Sequence, residues 1–343
     1  MTTIKDIAEN ANVSASAVSR ILNNDQSLSV KAETRQRVYE VAEKLNYRPL
    51  RKGYKKISSF SSGTFEVGII LCQTLKEEMN DIYFLSIRQG IEKECQNHNF
   101  IKPQIIRWKD ISSKQQLNKY DGLIVVGGLT TKALKYVNGE EKHIVHINHE
   151  PNMNYDSVVT DFYNATYHAL SHLESNGYTQ IGYIGGSENK HDINGKVEIR
   201  DKRFIAYKDF MEKYNIFNEE HCYIGEFSMT DGYRLMQKSI TNGNFPKAFF
   251  IASDPMAIGA MRALREANLK VPEDVALVSF NDVDLAKFAS TPLTSVKVYT
   301  EEMGREAVKL LIDRFNGRVI PLQIVVPATL SVRASCGRKK VKA

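Results

Sequence analysis

The sequence predicts a two-part molecule: a small all-α head of about 48 residues, then an α/β core of parallel sheets covered by helices on both faces. Three observations carry this. Apolar residues recur at helical spacing in three short runs before residue 48, strands and helices alternate from Glu66 onward, and the stretch between follows neither period. A chain of 343 residues also exceeds one ordinary domain.

In the head, Thr3 and Asp6 form a capping pair for a first helix running to Ala11, with Ile4, Ile7, Ala8 and Ala11 on one face. Asn12 and Val13 make a turn. Ser14 then caps a second helix, Ala15 to Leu22, whose inward residues are Ala17, Val18, Ile21 and Leu22, and a third helix, Lys31 to Leu45, buries Val38, Val41, Ala42 and Leu45. So short a turn between the first two helices is helix-turn-helix spacing. The other face of the second helix carries Ala15, Ser16, Ser19, Arg20 and Asn23. Small side chains let a helix seat near base edges, while Ser, Asn and Arg bond to them. A plain three-helix bundle with a solvated face fits the same pattern.

From Arg48 to Thr64 the chain carries Pro49, Gly53, Gly63, four serines and five cations, and reads as a linker. Beyond it, EVGIILC, DGLIVVGG, HIVHIN, SVVTD, IGYIGG, AFFIAS and ALVSFND read as strands. Helices are expected around Phe84 to Asn97, Tyr163 to Ser175 and Arg203 to Tyr214, and over PMAIGAMRALREAN.

Composition narrows the function. No apolar run approaches the roughly 18 residues of a membrane span, and the N-terminus has no secretory pattern, so a cytoplasmic protein is expected. The net charge of +6 is uneven: residues 1–60 hold eleven Lys/Arg against six acids, and residues 333–343 hold five cations and no acid. A basic head on a near-neutral body suits a polyanion at one end. Cys72, Cys95, Cys222 and Cys336 show neither disulfide nor zinc spacing, and His143, His146 and His149 lie where a strand would turn them to opposite faces, so no metal is expected. No GxSxG, P-loop, HExxH or GxGxxG pattern is present, which argues against an enzyme.

Parallel sheets bind ligands beyond the carboxyl ends of their strands. The candidates there are Cys72, Gly127 and Gly128, Asn148, Gly185 and Gly186, Ser253 and Asp254, and Asn281 and Asp282. Short amides and carboxylates suit an uncharged polyhydroxylated ligand, though Asx residues also cap and turn chains at such places.

The run VSASAVSRILN, followed by ETRQRV and LNYRP, resembles the DNA-binding head of the lactose/galactose repressor family. NDIYFLSIRQGIE, KAFFIASDPMAIGAMRALRE, VPEDVALVSFND, PLTSV and PATLSVR extend the resemblance over essentially the whole chain, most closely toward galactose-operon and evolved-β-galactosidase repressors. The resemblance implies a homodimer bound to palindromic double-stranded operator DNA. It also implies a core like a type I periplasmic binding protein, with a sugar effector between two Rossmann-like subdomains and no cofactor. The expected boundaries are 1–48 for the head, 49–64 for the hinge, 65–332 for the core and 333–343 for a basic tail. One subdomain would comprise about 65–160 and 292–322, the other about 161–291 and 323–332.

Carried over by position, the DNA-binding set is Thr3, Ser14, Ala15, Ser16, Ser19, Arg20, Asn23, Ser29, Leu50 and Tyr54. The effector set is Cys72, Tyr83, Asn148, Arg200 or Arg203, Phe227, Ser253, Asp254 and Asn281. Asn148 and Asn281 stand where the family often has aspartate. The hinge text LRKGYKKI departs from the family's Ala-rich helix: Gly53 costs about 1 kcal/mol relative to Ala, and Leu50, Tyr54 and Ile57 are alternative minor-groove wedges. Galactose or a β-galactoside is the effector suggested by the nearest resemblances, and subdomain motion would couple it to DNA release. The core alone also fits a sugar receptor without a DNA role.

Overall fold

The computed structural model describes residues 4–22, 30–45, 64–98, 101–137, 143–149 and 154–337. The chain divides into two compact units, residues 1–63 and 64–343.

The first unit holds α1 (Ile4–Ala11), α2 (Ala15–Leu22) and α3 (Ala32–Lys44). Ile7, Ala8, Ala11, Val18, Ile21, Val38 and Ala42 form its buried core, the expected faces, with Ala17 and Leu22 half-buried beside them. Asn12 turns the chain at φ 53°, a left-handed conformation that Asn tolerates. Ser14 Oγ then accepts the Ala17 N–H at 3.1 Å, capping α2. Two bonds fasten α3 onto the pair: Arg37 Nε donates to Ala11 O at 3.1 Å and Tyr39 Oη to Ile21 O at 3.0 Å.

The second unit contains two six-stranded sheets. Its first lobe begins with β1 (Phe65–Leu71), α4 (Leu75–Asn80), α5 (Ile82–Gln96), β2 (Ile101–Arg107), β3 (Gly122–Val126), β4 (Gly128–Leu129), α6 (Thr131–Val137), β5 (His143–Ile147) and β6 (Asp156–Val159). The second lobe follows with α7 (Phe162–Ser175), β7 (Ile181–Gly186), β8 (Glu188–Asp192), β9 (Gly195–Ile199), α8 (Lys202–Lys213), β10 (Cys222–Gly225), α9 (Met229–Thr241), β11 (Ala248–Ile251), α10 (Asp254–Glu266), β12 (Ala276–Asn281), α11 (Asp284–Phe288) and β13 (Thr294–Lys297). The chain then returns with α12 (Thr300–Phe315) and β14 (Gln323–Val325), and ends its strands with β15 (Thr329–Ser331).

Strand order is β14-β6-β5-β3-β1-β2 in the first sheet and β10-β7-β11-β12-β13-β15 in the second. Every neighbour pair in the two is parallel except β13 with β15. Because β13 belongs to the second sheet and β14 to the first, the lobe crossings fall after Lys297 and Val325, later than the expected 291 and 322. Periodicity identifies a strand but not the sheet that receives it.

The tail also starts later than expected. Ser335 O accepts the Leu277 N–H at 2.7 Å and Cys336 is fully buried, so residues 333–337 belong to the second lobe, while 338–343 lie outside the described residues.

Glycines let helices meet closely. A Cβ on Gly259 of α10 would stand 1.9 Å from Met229 O of α9, and one on Gly232 of α9 would stand 2.1 Å from Met256 O of α10. α5 and α12 meet the same way through Gly90 and Gly304. Helices α9 and α12 lie outside the pattern read from the sequence, being mostly polar at their surfaces, yet they bury Leu235 and Met236, and Met303, Ala307 and Leu311.

Candidate functional site

On the head, Ser14, Ala15 and Ser16 are exposed at the start of α2, and Ser19 and Arg20 are half-buried one turn on. Thr3, Asn23, Ser29, Leu50, Tyr54 and Ile57 lie outside the described residues. The described side chains form a face of small groups with one guanidinium.

In the second unit a cavity of about 370 Å³ opens between the lobes, at the carboxyl ends of both sheets. Of the effector residues carried over from the sequence, Tyr83, Asn148, Arg203, Phe227 and Asn281 line it, together with Gln73, Asp81, Phe84, Phe162 and Glu188, which the sequence reading did not assign to a site. The local chain explains several of these positions. Asp81 ends α4 and caps α5, accepting the Tyr83 N–H at 3.0 Å; Asp201 caps α8, accepting the Arg203 N–H at 2.7 Å. Asn148 and Asn281 leave their strands at φ 64° and 102°. The same amides that turn the chain therefore face the ligand space.

Arg203 is the polar centre. Its Nε reaches both oxygens of Asp201 at 2.9 and 3.1 Å, Nη2 reaches Oδ2 at 2.5 Å, and Nη1 donates to Ala252 O at 2.7 Å. Its guanidinium carbon lies 5.1, 4.8 and 5.3 Å from the ring centroids of Phe162, Phe227 and Phe280. Burial alone would discourage the charge, but Asp201 outweighs it and holds Arg203 protonated well above its ordinary range. A guanidinium has five N–H donors, so this fork leaves donors for a bound ligand.

Around it, Tyr83 Oη donates to Asn148 Oδ1 at 2.7 Å. Asn281 Nδ2 donates to Asp81 Oδ2 at 3.5 Å across the lobes, and Asn281 Oδ1 is buried with no hydrogen-bond partner among the described residues. Burial raises Asp81, against the pull of the Tyr83 N–H and Arg203. Burial and then Asp201 push Glu188 up to about 7. Aromatic faces beside acceptors and donors, with Arg203 already paired to Asp201 and Lys196 to Glu77, suit hydroxyl groups on an apolar ring face.

Four expected effector residues sit elsewhere. Cys72 is buried under Gly127, whose added Cβ would stand 2.8 Å from Cys72 Cβ, and burial pushes the thiol up. Ser253 spends its hydroxyl capping α10, accepting the Met256 N–H at 3.4 Å. Asp254 is fully buried behind the strand ends, accepting Ser279 Oγ at 2.5 Å, Ser295 Oγ at 2.7 Å and the Val283 N–H at 2.8 Å. Its carboxylate holds the turn that aims Asn281. Arg200 is exposed and lines a neighbouring cavity with His149, Lys190 and Lys202. A strand-end position in sequence does not say whether a side chain points into the cleft or back toward the sheet. What could have pointed to Asp81 and Asp201 is their spacing, each two residues before Tyr83 or Arg203, at a helix N-cap.

Residues 3–49 match the model of bacterial regulatory proteins of the lacI family, and residues 170–336 match a periplasmic binding protein-like domain. The chain is 48% identical over 345 residues to the HTH-type transcriptional repressor MelR of Bacillus subtilis (strain 168), covering 98% of each. It is 36% identical to the HTH-type transcriptional regulator GalR of Lacticaseibacillus casei, covering 98% of this chain and 99% of that one. Similar solved structures include a transcriptional regulator CelR–cellobiose complex, with TM-score 0.69, 24% identity and coverage of 98% and 100%. The lac repressor dimer bound to operator and the anti-inducer ONPF gives TM-score 0.68, 21% identity and coverage of 98% and 99%. A helix-turn-helix head ahead of a two-lobed α/β core, matched end to end by these regulators, makes this chain a member of the lacI family of bacterial regulatory proteins.

Proposed function

We propose that the protein represses a sugar-utilisation operon, binding palindromic operator DNA as a homodimer and releasing it when a galactose-type sugar enters the cleft. The observation that carries the reading is the Arg203 site: a paired guanidinium, three rings beside it, and the amides of Asn148 and Asn281 facing the same cavity. A phosphosugar is a poorer match. Glu77, Asp81, Glu188 and Glu226 line the cavity against the cations Lys196 and Arg203. The relatives' names and the cellobiose and operator complexes support the same reading.

Control then follows from linkage. Sugar and operator favour different arrangements of the two lobes, so each weakens the other by the same factor, typically worth about 1–3 kcal/mol. In this scheme Ser14, Ala15, Ser16, Ser19 and Arg20 read bases, and Arg203, Tyr83, Asn148, Phe227 and Asn281 hold the sugar. The test is a gel shift on the DNA upstream of the protein's own gene, repeated with a panel of sugars and phosphosugars. A shift relieved by a neutral galactoside is expected. Absence of a shift, or relief only by a phosphosugar, defeats the proposal.

A further inference from the structure

Two short strands tie the lobes together with almost no slack. Only Gly127 separates β3 of the first sheet from β4, and only Ser187 separates β7 of the second sheet from β8. β4 and β8 pair in parallel, Gly128 opposite Lys190 and Leu129 opposite His191. An added Cβ on Gly128 would stand 3.1 Å from Lys190 Cγ, so the glycine keeps this approach open. Three further contacts reinforce the bridge. The Thr130 N–H donates to His191 O at 2.9 Å, Thr130 Oγ1 donates to Asp192 Oδ1 at 2.5 Å, and Lys196 Nζ pairs with Glu77 of α4 at 2.9 Å. Asn281 Nδ2 to Asp81 Oδ2, also across the cleft, is longer at 3.5 Å. An extended residue spans only about 3.3 Å, so with one linking residue on each side the two sheets cannot move far apart while β4 and β8 stay paired.

The bridge is short, but it is also separable. β8 and β9 pair antiparallel, from Glu188 opposite Ile199 to Asp192 opposite Gly195, and no residue of this hairpin is fully buried. Its apolar side chains find no core: Ile193 and Val197 are 41% and 49% exposed. A two-stranded hairpin without a packed face is marginal by itself, so its order depends on β4. Elements of this kind, with little buried apolar surface and hydrogen bonds open to water, are the ones that open locally while the rest of a fold stays intact.

We propose that the β8–β9 hairpin is a strap that holds the two lobes closed in the ligand-free protein and must unpair from β4 before the cleft opens. The inference rests on the two-lobed fold and is independent of which molecule the cleft takes. It makes the strap, rather than the bound ligand, the element that sets the resting arrangement of the lobes, and it makes exchange through the cleft wait on the breaking of a few named bonds.

Labelling of the ligand-free full chain with a bulky maleimide tests this. Ser187 lines the cleft, so Ser187→Cys places a reporter thiol inside it, and the native half-buried Cys222 on β10 serves as the internal control for general loosening. Adding Asp192→Ala and Lys196→Ala removes the side-chain contacts to Thr130 and Glu77 and leaves the strand backbone in place. Labelling at position 187 relative to Cys222 should then rise about tenfold, the combined effect of one hydrogen bond and one exposed ion pair on the opening equilibrium. Replacing residues 190–197 by Asn-Gly deletes the pairing with β4 and should raise it at least as far. Small-angle scattering of the same variants should show a larger radius of gyration as the lobes part. Unchanged labelling at position 187, a rise shared equally by Cys222, or faster labelling at an unchanged radius of gyration overturns the strap, the last because it makes the hairpin a local cover that does not hold the lobes.

Discussion

Arg203 and Asp201 are locked together in a buried fork, with the arginine Nε 2.9 and 3.1 Å from the two carboxylate oxygens and Nη2 2.5 Å from one of them. Both residues are at most 7% exposed. The pair is two residues apart at the start of α8, so the helix that supplies the arginine also supplies its anchor. The guanidinium plane is thereby set before any ligand arrives, and a ligand would meet donors already aimed.

Arg203→Lys should separate this geometry from charge alone. Lysine keeps the cation but lacks the planar fork, so it cannot hold Asp201, reach Ala252 O and face the cavity at once. Sugar affinity should fall about 10–100-fold, the equivalent of losing one charged hydrogen bond, while operator binding without sugar is retained. Calorimetry with the sugar and a gel shift without it make the check; undiminished sugar affinity removes Arg203 from the effector site.

Arg20→Ala probes the other unit. If Arg20 reads a base edge from α2, the variant should lose about 1–3 kcal/mol of affinity for the cognate operator, with relaxed preference at one base-pair position. A phosphate contact would instead weaken all sequences alike and lower the salt dependence. Binding curves on cognate and random duplex at two salt concentrations distinguish them.

Glu188 predicts a pH dependence. Burial and Asp201 lift it to about 7, while Arg203, Lys202 and Lys190 pull it down. A sugar that displaces water from the cleft favours the neutral acid further, so binding takes up part of a proton and affinity falls as pH rises through about 7. Stability has the same sign. The raised native value means that Glu188 contributes fully below the ordinary carboxylate range, and that contribution is lost as pH rises toward about 7. Calorimetry from pH 6 to 8 in buffers of different ionisation enthalpy measures the proton uptake, and Glu188→Gln should abolish it.

Asp254→Ala should act through stability and position rather than through contact with sugar. It strips an acceptor from Ser279, Ser295 and the Val283 N–H, at a cost of about 2–4 kcal/mol if those donors stay dry. It also frees the turn behind Asn281, so sugar response should weaken. Denaturant unfolding of the variant gives the first effect and sugar titration the second. Wild-type stability with lost response would instead place Asp254 at the ligand.

Much was legible in the sequence because the signals are local. The capping Ser14, the turn at Asn12 and the spacing of Ile7, Val18, Ile21 and Val38 are short-range, and the head folds accordingly. The alternating apolar runs and the Asx residues at their ends likewise announced parallel sheets and a cleft at their carboxyl ends, with Asn148 and Asn281 lining it.

Only the tertiary structure decided which strand-end side chains face that cleft. Asn281 and Asp254 occupy equivalent strand-end positions in sequence, yet one meets the ligand space and the other is spent on Ser279, Ser295 and Val283. The bridging of β4 to β8 and the meeting of Asp81 with Asn281, 200 residues apart, were equally unreadable. The physical reason is that capping, turns and periodicity depend on neighbours within a few residues, whereas the direction of a buried polar side chain depends on the partner that satisfies it, and that partner comes from anywhere in the chain.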